Sequence, residues 1–167
     1  MMNFSFEIYK KLILELKKQD FEFSTFKEYS ITKKVYLRHD IDIYSENALN
    51  LALIEKDCEV TAVYFFQIDS TFYNILSEEV ISTINKIKKL GHEIGLHINP
   101  HKLKNPNELM KKITREYEFF KNHIPVSKII SFHRPPDFIF ENLEFDGFIN
   151  VYGDKYFKDI RYLSDSK

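Results

Sequence analysis

Apolar residues near the start of the chain recur at helical spacing, with Ile8, Tyr9, Leu12, Ile13 and Leu16 on one side and lysines on the other. Ser5 stands where an N-cap belongs, so the pattern predicts an amphipathic helix lying over a core. Residues 20–34 show no sustained period and read as a connector with room for one helical turn. Val35-Tyr36-Leu37 then leads into Arg38-His39-Asp40-Ile41-Asp42, a β-prone run that turns polar at its C-terminal end. Ser45 is placed to cap the next helix, with Ala48, Leu49, Ala52 and Leu53 facing inward.

The alternation continues through the rest of the chain. Val60 to Phe66 is apolar almost throughout, as a strand covered on both faces of a parallel sheet would be, and Tyr64, Phe65 and Phe66 read as core. Ser77, with Glu78 and Glu79 in the first turn, starts a helix through Ile81, Ile84 and Ile87 that Gly91 is fitted to end. Glu93 to His97 is a third strand, and Asn105-Pro106 opens a helix with the stripe Leu109, Ile113, Tyr117 and Phe120. Lys128 to Phe132 is a fourth strand. Asp146-Gly147 marks a turn before a fifth at Phe148 to Tyr152, and Tyr162-Leu163 suggests a sixth. Strands alternating with helices predict an α/β fold of βα units with a parallel sheet and right-handed crossovers. In such folds ligands sit at the C-terminal ends of strands.

Composition narrows this only a little. The chain has 167 residues, 44% of them hydrophobic, enough for one folded domain over residues 1–167 with a real core. A formal net charge of -1 provides no field to attract nucleic acid or an anionic membrane. Cys58 is the single cysteine, which excludes an internal disulfide. The lysines that follow the N-terminus match neither a signal peptide nor a membrane span, so a cytoplasmic location is expected.

The chemistry gathers at three strand ends. Gly91-His92-Glu93-Ile94-Gly95-Leu96-His97-Ile98-Asn99-Pro100-His101 holds three of the six histidines. His97 and His101, four apart, have a spacing that can present two imidazoles to one ion, and Asp40 or Asp42 can add a carboxylate, a ligand set typical of catalytic zinc. Asp40 and Asp42 share a face if the strand persists, and their mutual repulsion is relieved if one binds a cation and the other serves as a base. His39 faces the opposite way and reads as structural, as does His92. Phe132-His133-Arg134-Pro135-Pro136 fixes a guanidinium that can orient an aspartate or a substrate oxygen.

Together these motifs, in their order and over roughly residues 35 to 165, resemble the polysaccharide deacetylase superfamily, also called the NodB homology domain or carbohydrate esterase family 4. More narrowly they look like the branch associated with surface-polysaccharide or O-antigen gene clusters. The resemblance implies a distorted (β/α) barrel and removal of an N- or O-acetyl group from a sugar or polysaccharide precursor, with one divalent ion, Zn2+ above all. By that match Asp42, His97 and His101 are the metal ligands, Asp40 is the general base, and Arg134 holds the base, with His39, His92 and His133 in supporting positions. The chain departs from the pattern where Ile41 separates the two acids, which leaves base and ligand open to exchange. It also lacks the family's final leucine-rich strand and the histidine that acts as general acid. The expected barrel is therefore incomplete at its C-terminus, and its open sheet edge suggests a homodimer.

Overall fold

A computed structural model of the chain describes residues 5–44, 46–101, 103, 105–140 and 144–163. Helix α1 (Phe6–Lys18) begins as expected, with Ser5 Oγ accepting from the Ile8 amide at 3.3 Å. Its buried stripe is narrower than the sequence suggests: Tyr9 and Ile13 are buried, whereas Ile8 and Leu12 are exposed. The connector contains two short strands, β1 (Glu22–Phe23) and β2 (Lys34–Val35), paired in parallel.

The main sheet follows. Strand β3 (Leu37–Ile41) leads to α2 (Asn47–Asp57), β4 (Ala62–Phe66), α3 (Glu78–Lys89), β5 (Glu93–Ile98), α4 (Pro106–Lys121) and β6 (Ile129–Phe132). A 3-10 turn at Asp137–Phe140, β7 (Ile149–Asn150) and α5 (Asp154–Phe157) complete it. Ser45 lies outside the described residues, and Glu46 at the start of α2 makes no side-chain capping bond. Ser77 and Asn105 do cap α3 and α4, and Gly91 leaves α3 with φ +102°, a left-handed conformation suited to glycine. Tyr162 and Leu163 are not in a strand; Tyr162 instead lies over the Arg38 guanidinium, 5.6 Å from ring centroid to carbon.

The five strands β3-β4-β5-β6-β7 are all parallel and stand in chain order. With the usual right-handed crossovers, a monotonic order puts the helices on one face. The other face is strongly curled. Asp40 on β3 accepts a hydrogen bond from Ser131 Oγ on β6 at 3.0 Å, although β4 and β5 lie between them. On a flat sheet three spacings of about 4.8 Å would hold those backbones about 14 Å apart, beyond the reach of an aspartate and a serine. The curl needs room, and Gly95 provides it: a Cβ there would lie 2.6 Å from the Phe65 ring and 2.9 Å from the Ile129 carbonyl oxygen. The result is an arc of α/β units whose end strands β3 and β7 are not paired with each other. Among the described residues no helix is long and apolar enough to cross a membrane.

On the helix side, alternation along β3 sends His39 away from Asp40 and into a polar cluster around Glu55 of α2. Glu55 is 0% exposed, at helical spacing from the buried Ala48 and Ala52. Its carboxylate accepts from Tyr9 Oη at 2.5 Å, Tyr64 Oη at 2.6 Å and His39 Nε2 at 2.6 Å, so α1, α2, β3 and β4 are joined at one residue. His92 completes the layer. Its Nδ1 accepts from the Ala62 amide, so Nε2 carries the proton and donates to the Ala52 carbonyl at 2.9 Å. This is the structural role expected of it. Leu53, expected inward, is exposed instead.

Burial pushes Glu55 up, but the donors from His39, Tyr64 and Tyr9 outweigh it and hold it below the ordinary value of 4.5. Its stabilising contribution is therefore complete above that value and is lost as pH falls below it. Burial lowers His92 below 6.5, favouring the neutral ring in the fold, so its contribution also fades on acidification, beginning at about that pH. Thermal unfolding followed by circular dichroism is expected to show stability beginning to fall as pH drops below about 6.5. Glu55→Ala, which strands three buried donors, is expected to cost about 3–5 kcal/mol in urea unfolding. Gly95→Ala is expected to cost about 1–3 kcal/mol in the same assay, because the Phe65 ring must leave its place.

Candidate metal centre

The C-terminal ends of three strands deliver the candidate ligands. Asp42 lies one residue past β3, His97 is an inward residue of β5, and His133 lies one residue past β6. Parallel register explains the meeting. His97 is the partner of Ser131, and the His133 amide continues the ladder by donating to the Ile98 carbonyl at 2.8 Å, so His133 emerges beside His97. The two rings stand edge to face with centroids 5.5 Å apart.

Both imidazoles converge on one oxygen. Asp42 Oδ1 lies 3.1 Å from His97 Nε2 and 2.8 Å from His133 Nδ1, and also accepts from Gln67 Nε2 at 2.8 Å. The hydrogen bond from His97, with the charge of both imidazoles, holds the Asp42 carboxyl below the usual range against a smaller opposing effect of burial. One oxygen and two ring nitrogens lie within 4.8 Å of one another, close enough to share a cation. Their chemistry fits one: two imidazoles, which give up any second ring proton on ligating a metal, and a carboxylate suit zinc and leave coordination positions open. A second feature supports the fit. His97 is 2% exposed and its Nδ1 has no hydrogen-bond partner among the described residues, while Asp40 Oδ2 lies 4.0 Å away. A metal-ligating histidine commonly turns its other nitrogen toward such a carboxylate.

Asp40 stands beside this group on the concave face. Arg38 Nη2 donates to its Oδ2 at 2.6 Å, and Ser131 Oγ bridges both carboxylate oxygens at 3.0 and 3.1 Å. Arg38 also donates to Tyr152 Oη at 2.9 Å and lies over that ring. Nearby tyrosines and the Asp40 charge keep the guanidinium protonated despite its burial.

Two expected participants lie elsewhere. His101 does not join Asp42 and His97: it is 56% exposed, takes φ +51° just after Pro100, and pairs through Nε2 with Asp69 Oδ2 at 2.6 Å. The kinked loop directs it to another carboxylate, and His133 occupies the position expected of it. Arg134 is exposed with φ +47°, turned out of the sheet, and the arginine that holds Asp40 is Arg38. Sequence reasoning also missed Ser131 and Gln67. For Arg38 and Ser131 the signal was present as period-2 alternation on β3 and β6; for Gln67, one residue past β4, it was its place at a strand end like the others.

Elemental analysis of zinc-loaded protein is expected to give about one ion per chain. His97→Ala, His133→Ala and Asp42→Ala are expected to lose it, whereas His101→Ala keeps it; retention by His133→Ala with loss in His101→Ala would reverse the assignment. Comparisons with protein-family models, with curated proteins and with solved structures gave no match.

Proposed function

We propose that the protein is a metal-dependent hydrolase that removes an acetyl group from an N-acetylated or O-acetylated sugar of surface polysaccharide metabolism, as the motif resemblance implies. The observation that carries the proposal is the meeting of Asp42, His97 and His133 at the strand ends, with a second, fixed carboxylate, Asp40, beside them. Asp42, His97 and His133 would hold a zinc ion, which would supply Lewis acidity toward a carbonyl and toward water.

This chain's residues do the rest. Asp40, anchored by Arg38 and Ser131, receives the proton of the attacking water. The water oxygen bonds to the acetyl carbon, the bond from that carbon to the sugar nitrogen or oxygen breaks, and acetate leaves. The departing amine or alkoxide takes up the proton that Asp40 received from the water, which returns Asp40 to its carboxylate form. Gln67 fixes Asp42 and the β-sheet fixes His97, so neither side chain must reorganise during the reaction.

A second reading, a domain that binds a glycan without turnover, is favoured by one observation. Apart from the ligand candidate His133, no imidazole among the described residues lines the cavity beside the centre. His39 and His92 lie on the helix side, His123 bonds the Phe119 carbonyl, and His101 is held by Asp69.

Acetate release from acetylated amino sugars, assayed with and without chelator, separates the two. Metal-dependent release is expected, with kcat lowered about 10²- to 10⁴-fold in Asp40→Asn at unchanged metal content. No release from any acetylated sugar, or release that chelator leaves untouched, would reject the hydrolase.

A further inference from the structure

A cavity of about 60 Å3 opens against the candidate centre, lined by Asp42 and His133 on one side and by residues of the β4–α3 loop and Asn99 on the other. It has room for a few waters or a small substituent, and a sugar ring must lie outside it. The loop that forms its far wall is anchored. Tyr73 Oη accepts from the Gln67 amide at 2.8 Å and donates to the Ile41 carbonyl at 2.9 Å, Ser70 Oγ donates to the Asp42 carbonyl at 3.4 Å, and the Phe72 amide donates back to Ser70 Oγ at 3.1 Å. Phe72, 67% exposed, is thus held open to solvent by a braced turn at the cavity's edge.

Asp69 supplies the polar counterpart. Its Oδ2 is held by His101 at 2.6 Å and Lys112 at 3.0 Å, and Lys112 is in turn paired with Glu116. These contacts fix the carboxylate, but Oδ1 is buried and has no hydrogen-bond partner among the described residues. An acceptor in that condition calls for a donor from a ligand, an O–H or N–H. The lining contains two carboxylates, Asp42 and Asp69, and neither lysine nor arginine, which disfavours an anion.

We infer that the β4–α3 loop is the sugar-recognition element of this site, selecting a neutral acylated sugar. Phe72 presents its ring to the C–H face of the pyranose, and Asp69 Oδ1 accepts from a hydroxyl or amide N–H of the substituent that enters the cavity. A phosphate placed against the loop wall would meet the Asp69 carboxylate with no lysine or arginine in the lining to offset it, while the ion held by Asp42 and His133 faces the acyl group. The inference rests on the hydrolase reading for the place of the acyl group, but it is tested by binding alone.

Isothermal titration of the zinc-loaded full chain with N-acetylglucosamine, N-acetylgalactosamine, N-acetylmannosamine and N-acetylglucosamine 1-phosphate is the experiment. At least one neutral sugar is expected to bind, and the 1-phosphate is expected to bind more weakly than its parent. Phe72→Ala is expected to weaken binding about five- to tenfold while Phe72→Tyr restores it. Asp69→Ala is expected to weaken it about tenfold; Phe72→Ala, which removes an exposed ring, keeps the test valid if Asp69→Ala does not fold. No binding by any neutral sugar, wild-type affinity in Phe72→Ala, or tighter binding of the 1-phosphate would overturn the inference. Binding that Phe72→Ala weakens, without acetate release, keeps the cavity and removes the hydrolase. Metal-dependent release with KM unchanged in Phe72→Ala does the reverse.

Discussion

The concave face of the sheet is narrow enough for a carboxylate on β3 to hydrogen-bond a serine on β6, and that contact exists because residue 95 has no side chain. The Phe65 ring lies in the space a Cβ would take, so the central strands approach and the outer ones turn inward. Everything at the candidate centre follows from that curvature. It brings Asp40 alongside His97, lets Arg38 reach Ser131 and Tyr152 at once, and sets the His97 and His133 imidazoles around one oxygen of Asp42. A flat sheet with the same strand order would leave these residues in a row.

Much of this was legible in the chain, and the failures have definite causes. The alternation of strands and helices, the caps at Ser5, Ser77 and Asn105, and the clustering of polar residues at strand ends could be read because each depends on near neighbours in sequence. Asp42 and His97 were found in the same way. The spacing of four favours His101 because it looks like a shared ligand pair, whereas the imidazole brought beside Asp42 and His97, that of His133, is placed by register between β5 and β6, a relation about 35 residues long that spacing does not encode. Arg134 was chosen over Arg38 for a similar reason: the prolines after it suggested rigidity, but the backbone at that point turns outward. Glu55 was invisible because a lone acid on a helix reads as solvent-facing until its three donors, from α1, β3 and β4, are assembled around it.

Strand β3 separates two polar systems with opposite requirements. On the helix side, Glu55 is fully enclosed and each of its oxygens is matched by a donor, an arrangement that tolerates no exchange of partners. On the concave side, Asp42, Asp69 and His97 retain unmatched or over-shared atoms at the edge of a cavity. Adjacent residues His39 and Asp40 belong one to each system, so the rigidity of the first positions the second through a single peptide unit.

The strictly sequential order of the five parallel strands has a consequence for how the molecule assembles. Each βα unit finds its neighbour next along the chain, so the sheet can grow by short-range additions with little loop-closure cost at each step. The three residues of the candidate centre, however, are distributed over its first, third and fourth strands. A sheet of β3 and β4 holds Asp42 alone, β5 adds His97, and the full ligand group appears only once β6 has docked. Affinity for an ion would then act as a late lock on the fold, drawing β6 into place after β3, β4 and β5 have formed.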